Sequence, residues 1–270
     1  MKSVVAFLCV LLMCTLPVFA AGEGTDPASA DEVCLIGHKG YSSLYEGNTA
    51  EAFRKAGEAG FPGAETDMRL TLDGVCVLSH DAEAEFEDGS RLRIATHTYK
   101  QLTKKPLKND CTESKLYLCS FAEYLDICKE FNMICFVELK GVWLPGSIIA
   151  AFRLARERYD LSRVEFQSFE LPNLLIARLA FPELRIMMAC TKDGFNAKVA
   201  RWLGFDLDMR ESKLTKEIVD RFHEKGLRVS CFTVNEREDY ERCVACGVDY
   251  IETDELTPQL CRSFTKGVSA

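Results

Sequence analysis

Gly63-Ala64-Glu65-Thr66-Asp67-Met68-Arg69-Leu70-Thr71-Leu72-Asp73-Gly74-Val75-Cys76-Val77-Leu78-Ser79-His80-Asp81 is the stretch on which the fold turns. It holds two strand-like runs, 63–67 and 75–79, with only residues 68–74 between them. A crossover between parallel strands needs roughly a dozen residues. Leu72-Asp73-Gly74 is instead a tight-turn signal. The second run is therefore expected to fold back antiparallel, as the return arm of a hairpin. Outward from this pair, strand-like runs recur at 33–37, 133–139, 164–168, 184–189, 204–209, 227–232 and 248–252. Helical periodicity fills the gaps near 49–60, 120–131, 146–158, 170–180, 194–202, 215–225 and 236–246. Strands alternating with helices indicate a parallel sheet with helical crossovers. With the hairpin arm set aside, eight parallel strands remain. That number fits an α/β fold of the closed (β/α)8 TIM-barrel class, with an additional hairpin after the second strand, rather than an open doubly wound sheet. Residues 81–118 form a long excursion before the next helix, and an excursion of that length is usually functional.

The chain has 270 residues, near the roughly 250 such a barrel uses. Its first twenty residues differ from the rest. Lys2 is followed by an apolar run over 4–16, and Val18-Phe19-Ala20 resembles a small-x-small cleavage site. Residues 1–20 read as a secretory signal, too short in their apolar run for a membrane span. Residues 21–32 read as a flexible lead-in and 33–265 as one barrel domain. Export to the periplasm or the medium is the expectation. Lipoprotein anchoring through Leu11-Leu12-Met13-Cys14 is a minor option, because Met fits poorly before the cysteine. Of 13 cysteines, Cys9 and Cys14 leave with the signal, so an odd number remains. Cys111 and Cys119 flank a polar loop and form the best candidate disulfide. Cys34, Cys76, Cys135 and Cys231 lie in apolar runs and read as buried thiols. The net charge of −8 argues against a nucleic-acid partner, whose phosphates demand a basic face.

Active residues of a barrel lie at the carboxyl ends of its strands. Here those ends carry His38 and Lys39, then Glu65 and Asp67, then His80 after the hairpin arm, then Glu138 and Lys140. Two of the four histidines are in this set. Glu65 and Asp67 are two apart on a strand and face the same way. With Glu138 inward from the next strand, three carboxylates converge, and their repulsion calls for a cation. Oxygen ligands alone suit one divalent cation, Ca²⁺ or Mg²⁺ with Mn²⁺ as a further option, rather than zinc. Such an ion would offset the charge of a phosphate and polarise its oxygen. Histidine titrates near neutrality, so His38 and His80 suit general acid–base work. Lys39 and Lys140 can hold substrate phosphate oxygens as point charges.

These residues, in order, resemble a known family. His38-Lys39-Gly40, Gly47-Asn48-Thr49, Glu65-Thr66-Asp67, Leu70-Thr71-Leu72-Asp73-Gly74 and His80-Asp81 resemble the H-R-G, P-E-N-T, E-x-D, T-x-D-G and H-D elements of the glycerophosphodiester phosphodiesterases. Glu138-Leu139-Lys140, Gln167-Ser168-Phe169, Phe232-Thr233-Val234-Asn235 and Gly247-Val248-Asp249 with Thr253-Asp254 resemble its later motifs. The resemblance implies Glu65, Asp67 and Glu138 as metal ligands and His38 with His80 as the acid–base pair. It implies hydrolysis of a small phosphodiester, a glycerophosphodiester, to an alcohol and sn-glycerol 3-phosphate. Three positions depart from the pattern: Lys39 for Arg, Gly47 for Glu and Phe232 for Trp. Residues 82–118 match weakly and are expected to shape the substrate pocket. Two other readings stay open. One is a phospholipase-type barrel drawing its substrate from membrane lipid. The other is a barrel that binds phosphate without turnover, motivated by Lys39 and Gly47.

Overall fold

The computed structural model describes residues 33–266. The expected leader and lead-in, residues 1–32, lie outside the described residues. No helix among those described is long and apolar enough to cross a membrane. In chain order the barrel strands are β1 (Cys34–Gly37), β2 (Gly63–Leu70), β6 (Ile134–Leu139), β7 (Val164–Ser168), β8 (Arg185–Cys190), β9 (Asp206–Arg210), β10 (Val229–Phe232) and β11 (Tyr250–Thr253). They pair in parallel in that order, and β1 pairs with both β2 and β11, which closes the barrel. The helices between them are α1 (Ala50–Glu58), α3 (Phe121–Phe131), α4 (Pro145–Arg158), α5 (Leu171–Ala180), α6 (Phe195–Leu203), α7 (Lys216–His223) and α8 (Arg237–Cys246).

The hairpin forms as its short spacing requires. β3 (Cys76–Leu78) returns antiparallel on β2, with Met68 opposite Leu78 and Leu70 opposite Cys76. β2 runs three residues beyond the expected strand because those three residues carry the return arm. Gly74 takes a left-handed φ of 80° at the turn, a conformation costly for any side chain.

The excursion after β3 holds a second small hairpin, β4 (Glu83–Glu85) and β5 (Arg91–Arg93), and a one-turn helix α2 (Tyr99–Leu102). It folds around its own apolar cluster of Val77, Ala84, Phe86, Ile94, Leu102 and Leu118. No residue of 82–118 lines the cavity at the carboxyl end of the strands. A C-terminal helix α9 (Pro258–Lys266) also follows the last strand. The expected Cys111–Cys119 bridge is not formed. Cys111 lies exposed on the excursion surface, whereas Cys119 is buried in the main core beneath it.

Inside the barrel the inward side chains change character from the amino to the carboxyl end of the strands. At the amino end, buried Glu165 and Asp206 and half-buried Arg185 and Arg228 form an ionic cluster, with Arg185 Nε 3.1 Å from Glu165 Oε1. The middle layer is apolar, with Ile36, Ile134, Phe136, Met187 and Tyr250 among its members. Gly63 belongs to the same tier, and a Cβ there would come within 2.7 Å of Ile36 Cδ1. The carboxyl-end layer is polar and carries Glu65, Asp67, Glu138, Gln167, Asp208 and Glu252, all buried. The apolar tier excludes water from below, so the acidic tier opens only toward the barrel mouth.

Candidate active site

The polar tier is the floor of a cavity of about 190 Å³ lined by His38, Lys39, Glu65, His80, Glu138, Lys140, Gln167, Asp208, Phe232, Thr233 and Glu252. All seven residues singled out from the sequence meet at this mouth. Asp67 is buried beside the others, tied to Lys140.

Two turns position the first group. After β1 the chain reverses through His38-Lys39-Gly40, with Lys39 at φ 58° and Gly40 at φ 85°. A Cβ on Gly40 would lie 2.7 Å from the Ala52 carbonyl carbon, so only glycine lets the turn pack on α1. The turn aims the Lys39 amide at Glu65, donating to Oε2 at 3.0 Å. Asn48, at φ 59°, donates from Nδ2 to Asp67 Oδ2 at 2.8 Å and accepts the Asp67 amide at 3.1 Å. Its neighbour Thr49 caps α1, accepting the Ala52 amide at 3.2 Å. The Asn-Thr pair thus clamps a carboxylate and starts a helix in adjacent residues.

Glu65, Asp67 and Glu138 each offer an oxygen, and the three lie within 4.8 Å of one another. Lys140 bridges two of them, its Nζ 2.7 Å from Asp67 Oδ1 and 2.9 Å from Glu138 Oε2. Burial pushes the Glu65 carboxyl well above its ordinary value, and the charges of Asp67, Glu252 and Glu138 push the same way. Burial also acts on Asp67, but the Lys140 charge and the hydrogen bonds from Lys140 and Asn48 outweigh it and hold its pKa low. Burial raises Glu138 despite Lys140. Desolvation opposes the charge on Lys140, yet the two carboxylates raise its pKa overall. The ammonium thus neutralises Asp67 and Glu138, while Glu65 lacks such a bridge.

His38 lies in a network the sequence did not disclose. Its Nδ1 is 2.8 Å from Asp254 Oδ1, and its Nε2 faces Glu65 Oε2 at 3.9 Å. Asp254 Oδ1 also accepts from Ser42 Oγ at 2.7 Å, and its Oδ2 accepts from Asn235 Nδ2 at 3.1 Å. Burial alone would raise the Asp254 carboxyl, but the hydrogen bond and charge of His38, with Ser42 and Asn235, hold it far below the usual range. An ionised carboxylate only accepts, so Nδ1 carries a proton toward Asp254, and Nε2 is the ring nitrogen on the Glu65 side. Thr253-Asp254 and Asn235 were visible as motif residues, and their joint action on His38 needs the closure of β11 against β1 to exist.

His80 stands at the edge of the same cavity. Its side chain is 56% exposed and its Nδ1 is 2.9 Å from Asp81 Oδ1. Arg69 fixes the loop by donating to the backbone carbonyls of Ser79 and His80.

Two further floor carboxylates, Asp208 and Glu252, escaped notice in the sequence. Burial raises both well above the ordinary range, with neighbouring carboxylates acting in the same direction. Each stands at an inward position near its strand's carboxyl end, so alternation along β9 and β11 was the available signal. His38, Glu65 and Glu252 form a second trio of close ligand atoms sharing Glu65.

The departures at Lys39 and Gly47 are neighbours in space. A Cβ on Gly47 would lie 3.0 Å from Lys39 Cβ and 3.4 Å from its Cδ. The absent side chain leaves room for the lysine stem. Glu46 is half-buried, and its carboxyl is raised by burial first and by Asp110 second. It does not line the cavity.

Comparison with known proteins agrees with this arrangement. The Caldanaerobacter subterraneus glycerophosphodiester phosphodiesterase is 25% identical over 227 residues, covering 82% of this chain and 93% of its own. Human glycerophosphodiester phosphodiesterase 1 is 30% identical over 117 residues, 41% of this chain and 35% of its own. A Silicibacter pomeroyi structure described as a putative glycerophosphoryl diester phosphodiesterase superposes with a TM-score of 0.76 at 23% identity, over 90% of this chain and 95% of its own. An Oleispira antarctica phosphodiesterase solved with the product sn-glycerol-3-phosphate superposes at 0.74 and 21% identity, over 86% and 96%. Residues 38–257, from the first histidine of the mouth to just past Asp254, match the glycerophosphoryl diester phosphodiesterase family, and the chain belongs to that family.

Proposed function

We propose that this chain hydrolyses a glycerophosphodiester to an alcohol and sn-glycerol 3-phosphate, with His38 and His80 as the acid–base pair. The observation that carries the reading is the convergence of Glu65, Asp67 and Glu138 between two histidines at the mouth of a barrel of this family. The sn-glycerol-3-phosphate held by the Oleispira antarctica phosphodiesterase supports the product side.

The residues present fit one divalent cation. Two oxygens each about 2.4 Å from a shared Ca²⁺ lie at most about 4.8 Å apart, and the three carboxylates meet that limit. Their all-oxygen chemistry favours Ca²⁺, Mg²⁺ or Mn²⁺. When bound, such an ion supplies positive charge to the phosphoryl oxygens and to a substrate hydroxyl. Glu65, Asp67 and Glu138 would hold it.

The remaining chemistry belongs to the side chains. Asp254 keeps the proton of His38 on Nδ1, so Nε2 takes the proton of the glycerol 2-hydroxyl. That oxygen attacks phosphorus while His80 protonates the departing alcohol oxygen, and a cyclic phosphate forms. His80 then takes a proton from water, whose oxygen attacks phosphorus, and His38 returns its proton to the glycerol oxygen. Lys39 offers its charge to the phosphate from the wall of the cavity. Lys140 acts first on the carboxylates it bridges, so its reach to substrate is secondary. Export through residues 1–20 is part of the same reading.

The test is release of sn-glycerol 3-phosphate from glycerophosphocholine by protein loaded with each of the three metals, and then after chelation. Turnover restored by one of them is expected. Full turnover in a chelated preparation sinks the metal site. Failure with all three metals on every glycerophosphodiester tried leaves only phosphate binding.

A further inference from the structure

The two trios of ligand atoms on the cavity floor share Glu65 and differ in chemistry. Glu65, Asp67 and Glu138 offer oxygen alone, and Lys140 bridges Asp67 and Glu138. His38, Glu65 and Glu252 offer one ring nitrogen and two carboxylates, their ligand atoms within 4.8 Å of one another. The ion pairs of Lys140 leave this second trio unbridged. Two carboxylates and a neutral imidazole carry a charge that one divalent cation balances. A mixed nitrogen and oxygen set suits Zn²⁺ rather than Ca²⁺ or Mg²⁺.

Each member of the second trio is held from behind. His38 Nδ1 is 2.8 Å from Asp254 Oδ1, so Nε2, 3.9 Å from Glu65 Oε2, is the nitrogen left for a metal. A carboxylate behind a histidine ligand fixes the ring and raises its basicity. Asp254 is itself held by Ser42 and Asn235. Glu65 Oε2 accepts the Lys39 amide at 3.0 Å, and Glu252 Oε1 accepts from Ser230 Oγ at 3.4 Å. Tetrahedral zinc holds a nitrogen and an oxygen ligand about 3.4 Å apart, so the 3.9 Å between Nε2 and Oε2 closes with a side-chain shift of about 0.5 Å. A separate observation points to a cation on this floor. Asp208 Oδ1 and Gln167 Oε1 line the same cavity, buried and without a hydrogen-bond partner among the described residues. Buried acceptors in that state are costly until a cation or the water bound to it satisfies them.

We propose that His38 Nε2, Glu65 and Glu252 form an inhibitory Zn²⁺ site, distinct from the activating site of Glu65, Asp67 and Glu138. Zinc there occupies the lone pair with which His38 takes the proton of the glycerol hydroxyl. It also draws on Glu65, which the activating cation needs. Binding is reversible and no covalent bond is made or broken. The effect on turnover rests on the acid–base reading of His38, whereas the binding itself does not. Glu252 belongs only to the zinc trio and Asp67 only to the other, so these two residues separate the sites.

The experiment titrates the full chain, stripped of metal, with Zn²⁺ alone, reading heat of binding and the nitrogen-15 shifts of the imidazoles. It then adds zinc to glycerophosphocholine turnover at saturating activating metal. Expected is a zinc-dependent shift of His38 Nε2 in the wild type, retained in Asp67→Asn. Asp254→Asn should weaken zinc binding by roughly 10–100-fold, as loss of a residue supporting a histidine ligand does. Glu252→Gln should weaken both zinc binding and zinc inhibition by at least about tenfold, because it removes a ligand itself. Zinc that leaves His38 unshifted, or Glu252→Gln that binds zinc like wild type, overturns the proposal. Inhibition equal in wild type and Glu252→Gln, and reversed by excess activating metal, puts zinc on the other trio and also overturns it. Zinc bound through His38 and Glu252 with turnover intact upholds the site and removes His38 as the base. Should Glu252→Gln fail to fold, the His38 shift in the wild type and in Asp67→Asn decides the question.

Discussion

His38 and His80 line one cavity and are held in opposite ways. His38 is 19% exposed, and its ring is fixed by Asp254, which is itself fixed by Ser42 and Asn235. His80 is more than half exposed and its ring leans on Asp81, 82% exposed. The backbone beneath His80 is pinned by Arg69, but its ring is not enclosed. The difference matches the two tasks proposed. A base must present one lone pair at one angle to a hydroxyl held in the cavity. An acid serving a leaving group of variable size has to stand where that group exits. Rigid preorganisation suits the first, and an open lip suits the second.

The largest expected effect tests both histidines together. His38→Ala and His80→Ala should each lower kcat by roughly 10²–10⁴ with the fold retained, measured by steady-state turnover alongside circular dichroism. A near-normal rate in either variant removes that histidine from the mechanism.

Next in size is the contrast between their partners. Asp254→Asn should lower kcat by about 10²-fold or more, because an amide in that place no longer compels the Nδ1–H tautomer. Asp81→Asn should change it by less than about threefold, since an exposed pair is screened by solvent. Nitrogen-15 shifts of the imidazoles report the same contrast without turnover. Equal effects of the two substitutions would erase the distinction drawn here.

A smaller effect is expected at Lys39, beside the rigid histidine. Lys39→Ala should raise KM and lower kcat by roughly tenfold, because a charge facing phosphate gains strength as negative charge develops. Unchanged constants would show the ammonium pointing to solvent. Lys39→Arg is tolerated only while Gly47 leaves its space, so Gly47→Ala should make the arginine variant worse. Kinetics of the two single variants and the double variant measure that coupling.

The smallest effect concerns pH and the metal-free protein. Asp254 has a lowered pKa in the fold, so its contribution to stability is present above the unfolded value near 4 and is lost as pH falls through the lowered one. Asp208 and Glu252 have raised pKa values, so their contribution is present below about 4 and is lost as pH rises through the raised ones. Chelated wild type should therefore gain thermal stability as pH drops from neutrality toward about 4.5, and Asp208→Asn should blunt that gain. Asp254→Asn should flatten only the loss below about pH 4. Melting curves against pH separate the two limbs, and a chelated wild type that loses stability over the first interval contradicts the assignment.

Much of the fold was legible because its signals are local. Leu72-Asp73-Gly74 marks a turn wherever it occurs, and the short distance from Asp67 to Val75 excludes a crossover on geometry alone. The excursion was not legible. β4 and β5 read Glu-Ala-Glu and Arg-Leu-Arg, too short and too charged to show a period. They hold only because Ala84, Phe86 and Ile94 meet Val77 from the barrel hairpin. The Cys111–Cys119 expectation failed for a related reason. Proximity along the chain does not reveal that one thiol faces solvent and the other faces the core.

The sequence by itself determined the strand order, the hairpin and which strand ends carry His38, Glu65, Asp67, His80 and Glu138, because a period of two and a turn motif are properties of neighbouring residues. Only the tertiary structure decided that Asp254 orients His38, that Lys140 is spent on Asp67 and Glu138, and that Gly47 makes room for Lys39. Those relations join residues up to 216 positions apart. The longest of them comes into being when β1 closes against β11, and charge and packing between strands depend on distance in space, which spacing along the chain does not record.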